Sequence, residues 1–332
     1  MTVRLAIIGA GIMGGDHARL FAAEIPGVTL QTICDADAAR ARAVADKVGA
    51  RHVASDPEAA IRDGNVDAVL IAAPDPFHAP LTLACIAAAK PVLCEKPLSQ
   101  STRECLAVME AEERRGKRLV QIGFMRRFDP SYVEIKNLLA SGALGKALMF
   151  HCFHRNVAPA YGVQDSMAIC NSAPHEFDVA RWMLGSDYTS ISVFRPGGAN
   201  APQSAPVFMV LETAGGQLVD IEVNISAAYG YDVRGELVGE KGSAFLRAPV
   251  LADVNLGLKS YSVYPEDWRP RFVEAYRRQN LAWLKSLASG VPAGASAWDG
   301  YCATAVAEAG VAALRTGKTV AVEHVARPGF YA

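Results

Sequence analysis

The 332 residues predict an α/β protein in two parts: an N-terminal doubly wound parallel sheet and a C-terminal α+β domain with a large open, mostly antiparallel sheet. The length exceeds what a single hydrophobic core usually spans. The first third alternates short apolar runs with alanine-rich helical stretches, which is typical of a parallel sheet covered on both faces. The stretch 219–225 alternates between apolar and polar residues, as a half-buried strand does. We therefore expect two domains, 1–123 and 124–332.

The composition argues against several classes of protein. Hydrophobic residues make up 51%, charged residues 20%, and the formal net charge is −1. This balance is ordinary for a globular protein, and no basic stripe indicates a nucleic acid or a membrane as partner. No apolar run approaches the length of a membrane span. The seven cysteines show no CxxC pair, so we expect reduced side chains and a cytoplasmic protein.

The N-terminal elements follow from the apolar runs and from two helix signals. Helical stretches are expected at Ala38–Val48 and Ala79–Ala89. Asp56 is placed to cap a further helix, and Pro57 suits its first position. The strands are predicted at "VRLAIIG", "VTLQTIC", "DAVLIAA", "KPVLC" and "RLVQIG".

A glycine motif, "GAGIMG", follows the first strand directly and opens a helix. Gly9 suits a tight turn, Gly11 lets the backbone approach a pyrophosphate, and Gly14 allows close packing of helix and strand. The second strand leads into Asp35, about twenty residues on, where a carboxylate binds ribose hydroxyls and repels a 2′-phosphate. The motif predicts a Rossmann domain that binds NAD in preference to NADP.

The carboxyl ends of the later parallel strands lie at the same edge, so "AAPDPFH" and "CEKP" should border the cofactor. Lys96 leaves its strand at this edge, and Pro97 restricts its backbone conformation. A surface lysine at a strand end is the alternative interpretation. The residues expected to line the cofactor are Gly9, Gly11, Ile12, Met13, Gly14, Asp35, Arg40, Ala73, Asp75, His78, Glu95 and Lys96.

After residue 123 the alternation of strands and helices gives way to the pattern of an open, mostly antiparallel sheet with a few helices. Helices are expected at Pro130–Ser141, around His175–Leu184, and near Trp268–Ser289 and Trp298–Thr316. An open sheet leaves one face for another element, so this face is a candidate surface for a homo-oligomer. The strands are predicted at "KALMFHCFHRN", "PVFMVLET", "QLVDIEVNI", "VRGELVG" and "SAFLR".

Two histidines in "HCFH" raise the question of a metal site. His151 and His154 are three residues apart, and residues at that spacing in a strand point to opposite faces. We therefore predict no metal. His17, on the first helix, is expected to pack or to lie on the helix surface rather than to act in chemistry.

Eight segments together resemble the Gfo/Idh/MocA oxidoreductases and, within that family, the group of inositol dehydrogenases: "GAGIMGGDHA", "APDPFHAPL", "CEKPLS", "GFMRRFDPSY", "HCFHRN", "NSAPHEFDVARWMLG", "YGYDVRGELVGEKG" and "SAWDGY". The resemblance covers essentially the whole chain. It implies a Rossmann domain, a C-terminal α/β domain, assembly that is often tetrameric, and oxidation of a ring hydroxyl with NAD. The family's catalytic lysine falls on Lys96, and its Asp-x-x-x-His pair falls on Asn171 and His175.

The chemistry implied by the resemblance needs a base and a group that polarises the hydroxyl. His175 suits the base, because the unperturbed pKa of histidine lies near neutral pH. Lys96 would stabilise negative charge on the reacting oxygen. Asn171 can orient an imidazole but brings no charge. The candidate catalytic residues are Lys96, His175 and Asn171, and the candidate substrate-binding residues are Arg126, Asn156, Asn171, His175 and Tyr231.

Three functions remain open at this point. The first is an NAD-dependent dehydrogenase of myo-inositol or a stereoisomer. The second keeps the enzyme class but changes the substrate to a pyranose sugar or an aminocyclitol. The third, from another class, is a catalytically silent NAD-binding sensor. Turnover with a panel of polyols would separate them.

Overall fold

The computed structural model describes residues 2–158, 166–198, 201–247, 250–290 and 292–332. The chain forms two compact units. Unit 1 comprises Met1–Phe128, Ala275–Thr304 and Ala326–Ala332, and unit 2 comprises Asp129–Glu274 and Ala305–Val325. Unit 1 thus continues past the expected boundary at residue 123 and includes two segments from late in the sequence.

The parallel sheet of unit 1 is built from six strands among the described residues: β1 (Val3–Ile8), β2 (Val28–Cys34), β3 (His52–Ala54), β4 (Ala68–Ile71), β5 (Val92–Cys94) and β6 (Val120–Ile122). Their order is β3-β2-β1-β4-β5-β6, and each neighbouring pair is parallel. This is the doubly wound Rossmann arrangement predicted from the sequence. The helices between the strands are α1 (Ile12–Ala23), α2 (Ala38–Val48), α3 (Pro57–Arg62), α4 (His78–Ala87) and α5 (Thr102–Arg115).

Local sequence signals account for these elements. Every residue of β4 and β5 is buried, as expected for strands covered on both faces. The Asp56 side chain accepts hydrogen bonds from the backbone N–H groups of Glu58 and Ala59, and Pro57 occupies the first turn of α3. The predicted cap is therefore confirmed.

Long-range contacts explain why late segments belong to unit 1. Helices α8 (Arg269–Ser289) and α9 (Ala297–Thr316) each contribute residues to both units. Within unit 1, Asn280 of α8 lies 2.9 Å from the His17 ring, and the rings of Trp283 and Phe21 meet edge to face. No local pattern in the sequence indicates such contacts, so the sequence could not predict that Ala275–Thr304 belongs to unit 1.

Unit 2 contains a mixed sheet of seven strands among the described residues: β7 (Ala147–Arg155), β8 (Tyr188–Phe194), β9 (Val207–Thr213), β10 (Leu218–Asn224), β11 (Asp232–Gly239), β12 (Gly242–Phe245) and β15 (Val320–Ala321). The order is β12-β11-β7-β10-β9-β8-β15. A separate hairpin joins β13 (Ala252–Leu256) to β14 (Lys259–Val263), and the other helices are α6 (Pro130–Ala140) and α7 (Pro174–Leu184).

One pairing departs from the antiparallel pattern, because β10 runs parallel to β7. The chain reaches β10 from β7 through α7, β8 and β9, and a parallel pair needs such a long crossover. The predicted faces are confirmed. Val219, Ile221 and Val223 are buried, whereas Asp220 and Glu222 lie on the opposite, partly exposed face.

Strand β7 confirms the predicted separation of its two histidines. His154 is buried, and His151 lies on the partly exposed face, 2.5 Å from the Asp220 carboxylate. The sequence did not predict β3, β8, β15 or the β13–β14 hairpin. Along the described residues, no helix combines the length and the hydropathy of a membrane span.

Candidate active site

The turn between β1 and α1 matches the role predicted for each glycine. Gly9 has a φ of +99°, and a Cβ there would lie 2.4 Å from the carbonyl oxygen of Ala72. A Cβ on Gly14 would lie 1.8 Å from the carbonyl oxygen of Gly9. A Cβ on Gly11 would meet no described atom within 4 Å, so the backbone has open space in front of it at the helix N-terminus. That combination fits a pyrophosphate.

Asp35 is tied to the same turn. One carboxylate oxygen accepts a hydrogen bond from the Ala10 backbone N–H at 2.7 Å, and the other accepts from the Asp37 N–H at 2.9 Å. The Arg40 guanidinium lies 3.7 Å from the Asp35 carboxylate and 3.2 Å from that of Asp37. The predicted acid therefore lies beside the glycine turn, where a ribose of NAD would meet it.

The loops that follow β4 and β5 carry the other residues predicted for the cofactor. Asp75 begins a 3-10 turn over Asp75–Phe77, and α4 starts at His78. The His78 ring lies 2.7 Å from the Ala73 carbonyl oxygen and 2.6 Å from that of Pro97. Its contacts thus connect the two loops.

Glu95 is buried and Lys96 is half-buried where the chain leaves β5. The Lys96 backbone N–H donates to the Glu95 carboxylate at 3.2 Å, and the Lys96–Pro97 peptide bond is cis. The other Glu95 oxygen lies 2.8 Å from His17 Nε2, and His17 Nδ1 faces the Asn280 amide. His17 therefore packs, as predicted, but it packs onto the residue that precedes Lys96.

Unit 2 holds a buried cluster around His154. Its Nδ1 is 3.0 Å from the Glu176 carboxylate, and its Nε2 is 3.3 Å from the Asn156 amide nitrogen. The centroid of its ring lies 6.3 Å from that of His175 and 6.2 Å from that of Tyr231. The structure thus gathers three candidate substrate residues, Asn156, His175 and Tyr231, around a fourth that the sequence analysis considered only as a metal ligand.

Asn171 and His175 belong to one helical segment. Ala168–Ser172 forms a π-helical turn, a feature frequent at functional sites, and α7 begins two residues later. His175 is buried, and Asn171 is half-buried four residues before it. Glu176 follows His175 directly, so the cluster contains a carboxylate although position 171 is an amide.

A cavity of about 510 Å³ opens in unit 2 and shares Asn156 and Tyr231 with this cluster. The Asn156 backbone N–H donates a hydrogen bond to the Asn224 carbonyl oxygen, and the Asn156 carbonyl oxygen accepts one from the Ala227 N–H. The Tyr231 N–H donates to the Pro265 carbonyl oxygen at 2.7 Å. These bonds fix the cavity wall. Aromatic and acidic side chains complete its lining: Tyr229, Tyr264, Trp268, Glu266 and Asp267.

Tyr229 is held in this wall by charged neighbours. Its hydroxyl donates to Asp232 at 2.7 Å and accepts from Arg155 at 2.8 Å. Burial, with the Asp232 carboxylate, raises the pKa of Tyr229, so the phenol stays protonated. Arg155 is in turn bound by both carboxylate oxygens of Glu222 at 2.7 Å. These contacts keep the Tyr229 phenol neutral and fix the orientation of its hydroxyl group.

Some residues lie where the sequence did not place them. Arg126, predicted in the substrate domain, belongs to unit 1, in the 3-10 turn Met125–Phe128, and is only 1% exposed. Phe77 was missed as a candidate, although it is 56% exposed at the edge that carries Asp75. Ile12, in the glycine turn, is 61% exposed. Exposed apolar side chains at this edge suit the flat rings of a dinucleotide. The short segment "DPF" after the predicted strand could have indicated Phe77 as a candidate.

Models of known families match both parts of the chain. Residues 3–124 match an oxidoreductase family with an NAD-binding Rossmann fold, and residues 136–322 match the C-terminal alpha/beta domain of that family. The inositol 2-dehydrogenase 2 of Saccharopolyspora erythraea is 46% identical over 336 residues, which cover 100% of this chain and 99% of the relative. The inositol 2-dehydrogenase of Streptomyces avermitilis is 42% identical, with 98% and 96% covered.

Solved structures show the same fold. The myo-inositol dehydrogenase of Lactobacillus casei, in complex with NAD(H) and myo-inositol, superposes with a TM-score of 0.93 at 28% identity and covers both chains fully. The scyllo-inositol dehydrogenase of that organism, with NAD(H) and scyllo-inositol, has a TM-score of 0.90 at 23% identity, with 97% of this chain and 99% of the other covered. This second likeness is one of fold alone.

The glycine turn, the acid after β2 and the Rossmann sheet define an NAD-binding oxidoreductase. The chain belongs to the Gfo/Idh/MocA family and is an NAD-dependent dehydrogenase. The predicted family, fold class and cofactor are therefore confirmed.

Proposed function

We propose that this dehydrogenase oxidises a ring hydroxyl of a cyclic polyol, myo-inositol or one of its stereoisomers, to a ketone. The cluster of half-buried Asn156 with buried His175 and Tyr231 around His154, next to a polar and aromatic cavity, is the observation that carries the proposal. A small ring with many hydroxyl groups needs several fixed hydrogen-bond partners, and its C–H faces need apolar contact. Relatives named inositol 2-dehydrogenase support the same substrate class.

The chemistry divides between two side chains. NAD, when bound, supplies the hydride acceptor. His175 takes the proton of the hydroxyl, which base catalysis of this kind accelerates by about 10²–10⁴-fold. Lys96 hydrogen-bonds the same oxygen and stabilises its developing negative charge. Arg126, Asn156 and Tyr231 bind the remaining hydroxyl groups.

Asn171 brings no charge to His175 in this proposal, but it orients the ring or binds the polyol. The carboxylate in the cluster is that of Glu176, which lies 3.0 Å from His154, and the centroid of the His154 ring lies 6.3 Å from that of His175. Glu176 therefore holds His154 beside the proposed base.

Formation of NADH with a panel of inositols tests the substrate class. The wild-type chain should turn over at least one inositol, and Lys96→Ala should abolish turnover while NAD still binds. Lys47→Ala, which changes an exposed lysine at the end of α2, is the matched control and should remain active. Tight NAD binding without turnover of any polyol would contradict the proposal and favour a silent sensor.

An aminocyclitol is the second candidate substrate. Glu266 and Asp267 bring two carboxylates to the cavity, and a protonated amine would pair with one of them. The panel should therefore include aminocyclitols and pyranose sugars. A kcat/KM higher for an aminocyclitol than for every inositol, lost in Glu266→Gln, would select this candidate.

We propose that copies of the chain associate, as a dimer or tetramer, through the open face of the seven-stranded sheet. Phe194 and Phe208 lie opposite each other on β8 and β9 and are 57% and 40% exposed. The nearby Arg155 and Glu222 neutralise each other, so little charge opposes contact. Phe208→Glu should lower the mass measured by light scattering, whereas Leu258→Glu, at the tip of the β13–β14 hairpin, should not.

We also propose a cytoplasmic location, supported by the seven cysteines, all of which are free thiols. Cell fractionation with detection of the chain tests this, and recovery from an oxidising compartment would contradict it.

A further inference from the structure

His78 connects two loops at the carboxyl edge of the unit 1 sheet. Its Nδ1 lies 2.6 Å from the carbonyl oxygen of Pro97, and its Nε2 lies 2.7 Å from that of Ala73. Pro97 follows Lys96 directly. The imidazole is only 1% exposed, so water does not compete for either nitrogen.

Both partners of the ring are hydrogen-bond acceptors. A backbone carbonyl oxygen has no proton to donate, so each ring nitrogen must supply one. A neutral imidazole carries a single N–H and would leave a lone pair facing the second carbonyl oxygen at hydrogen-bond distance. The imidazolium form satisfies both contacts, and charged donors make the shorter bonds seen here.

The titratable groups that face the ring allow this charge. Burial alone would lower the pKa of His78, but Cys94 of β5, the Pro97 carbonyl and the Asp75 carboxylate together raise it to about 10. Asp75 belongs to the 3-10 turn packed against α4. The ring therefore meets negative or electron-rich groups from the elements on both sides.

We propose that His78 is a positioning residue whose ring carries a proton on both nitrogens at neutral pH. It donates both N–H groups and thereby fixes the loop after β5, which carries Lys96, to the loop after β4. This inference rests on the proposed function to the extent that Lys96 acts on the substrate hydroxyl. The sequence places His78 among the residues expected to line the cofactor, and in the structure both of its ring nitrogens lie within hydrogen-bond distance of backbone carbonyl oxygens.

His17 provides an internal reference. It is buried like His78, but its nitrogens face one acceptor, the Glu95 carboxylate, and one donor, the Asn280 amide nitrogen. A single ring proton on Nε2 satisfies both. The contacts of His78, with two acceptors, need a proton on each nitrogen.

Nuclear magnetic resonance of protein labelled with ¹⁵N-histidine tests the charge without any turnover. At neutral pH the His78 ring should show two protonated nitrogens, with its signals assigned through His78→Gln. A bare nitrogen on His78 at neutral pH would overturn the proposal.

Kinetics of His78→Gln test the positioning role. We expect kcat to fall on the order of 10- to 100-fold, because misplacing a catalytic group by an ångström costs this much. The Kd for NAD should change less than about threefold. His52→Gln, which alters an exposed histidine of β3, is the control and should match the wild type. An unchanged kcat in folded His78→Gln would refute the role.

The failure of the proposed function would look different. If the wild type oxidises no polyol, the role of Lys96 falls, yet two ring protons on His78 would still support its link between the loops. If the wild type turns over and Lys96→Ala does not, a fully active His78→Gln would reject the positioning role alone.

Discussion

Replacing Gly14 by alanine adds one methyl group where the structure leaves no room. The new Cβ would lie 1.8 Å from the Gly9 carbonyl oxygen and 2.8 Å from its carbon. Real Cβ contacts essentially never fall under 3.0 Å, so the Gly9 carbonyl would have to move by more than an ångström. The Gly9 carbonyl has little freedom to move, because the N–H of the same residue donates to the Cys34 carbonyl oxygen at 2.7 Å.

The expected cost follows from overpacking. Forcing a methyl group into a packed site costs about 1–3 kcal/mol, and alanine returns about 0.5–1 kcal/mol in a helix interior. We expect the free energy of unfolding to fall by about 1–2 kcal/mol. Because the displaced turn is the one predicted to bind the pyrophosphate, the Kd for NAD should rise at least tenfold, which corresponds to about 1.4 kcal/mol.

Gly15→Ala is the matched control in the same helix. Its Cβ would meet Val44 at 3.9 Å, an ordinary contact, so stability should stay equal or rise by about 0.5–1 kcal/mol. Chemical denaturation and titration with NAD measure both effects. If Gly14→Ala matched Gly15→Ala in stability and in NAD affinity, the argument that helix and turn pack in contact would be refuted.

Four further predictions follow from single contacts. Asp35→Ser should raise NADP affinity relative to NAD at least about tenfold, because the repelling carboxylate is gone; calorimetry showing the same preference would contradict this. Tyr331→Phe removes the hydroxyl that donates to the Glu112 carboxylate at 2.6 Å and should lower the unfolding free energy by about 1–3 kcal/mol, measured by denaturation, with NAD affinity unchanged. Folding raises the pKa of His78 from 6.5 to about 10, so its stabilisation is complete below pH 6.5 and is lost as pH rises through 10; His78→Gln should lack this dependence in melts across pH. Asn171→Asp should shift the pH–rate profile if this side chain contacts the base, and an unchanged profile would remove it from the site.

Local signals predicted where the residues proposed to bind the cofactor lie on the fold. The glycine spacing specifies the turn, and the rule that carboxyl ends of parallel strands share an edge places Asp35 and Lys96. The structure has both residues at the ends of their strands. The alternation in β10 predicted its buried face for the same reason, since period two follows from strand geometry alone.

Non-local contacts account for what the sequence could not predict. Pro97 lies 19 residues after His78, and Asn280 lies 263 residues after His17, so no pattern within one element reveals either contact. The role of His154 was missed because spacing within β7 shows its face but not its neighbour Glu176 on α7. The parallel pair β10–β7 depends on a crossover, which only the complete topology defines.

A crystal structure with NADH and myo-inositol is the most direct test of the proposed mechanism. The account predicts one ring hydroxyl within about 2.6–3.2 Å of both Lys96 Nζ and a His175 ring nitrogen, with its carbon facing the nicotinamide. Inositol bound with these two nitrogens on different hydroxyl groups, or with the nicotinamide out of reach of the carbon, would contradict it.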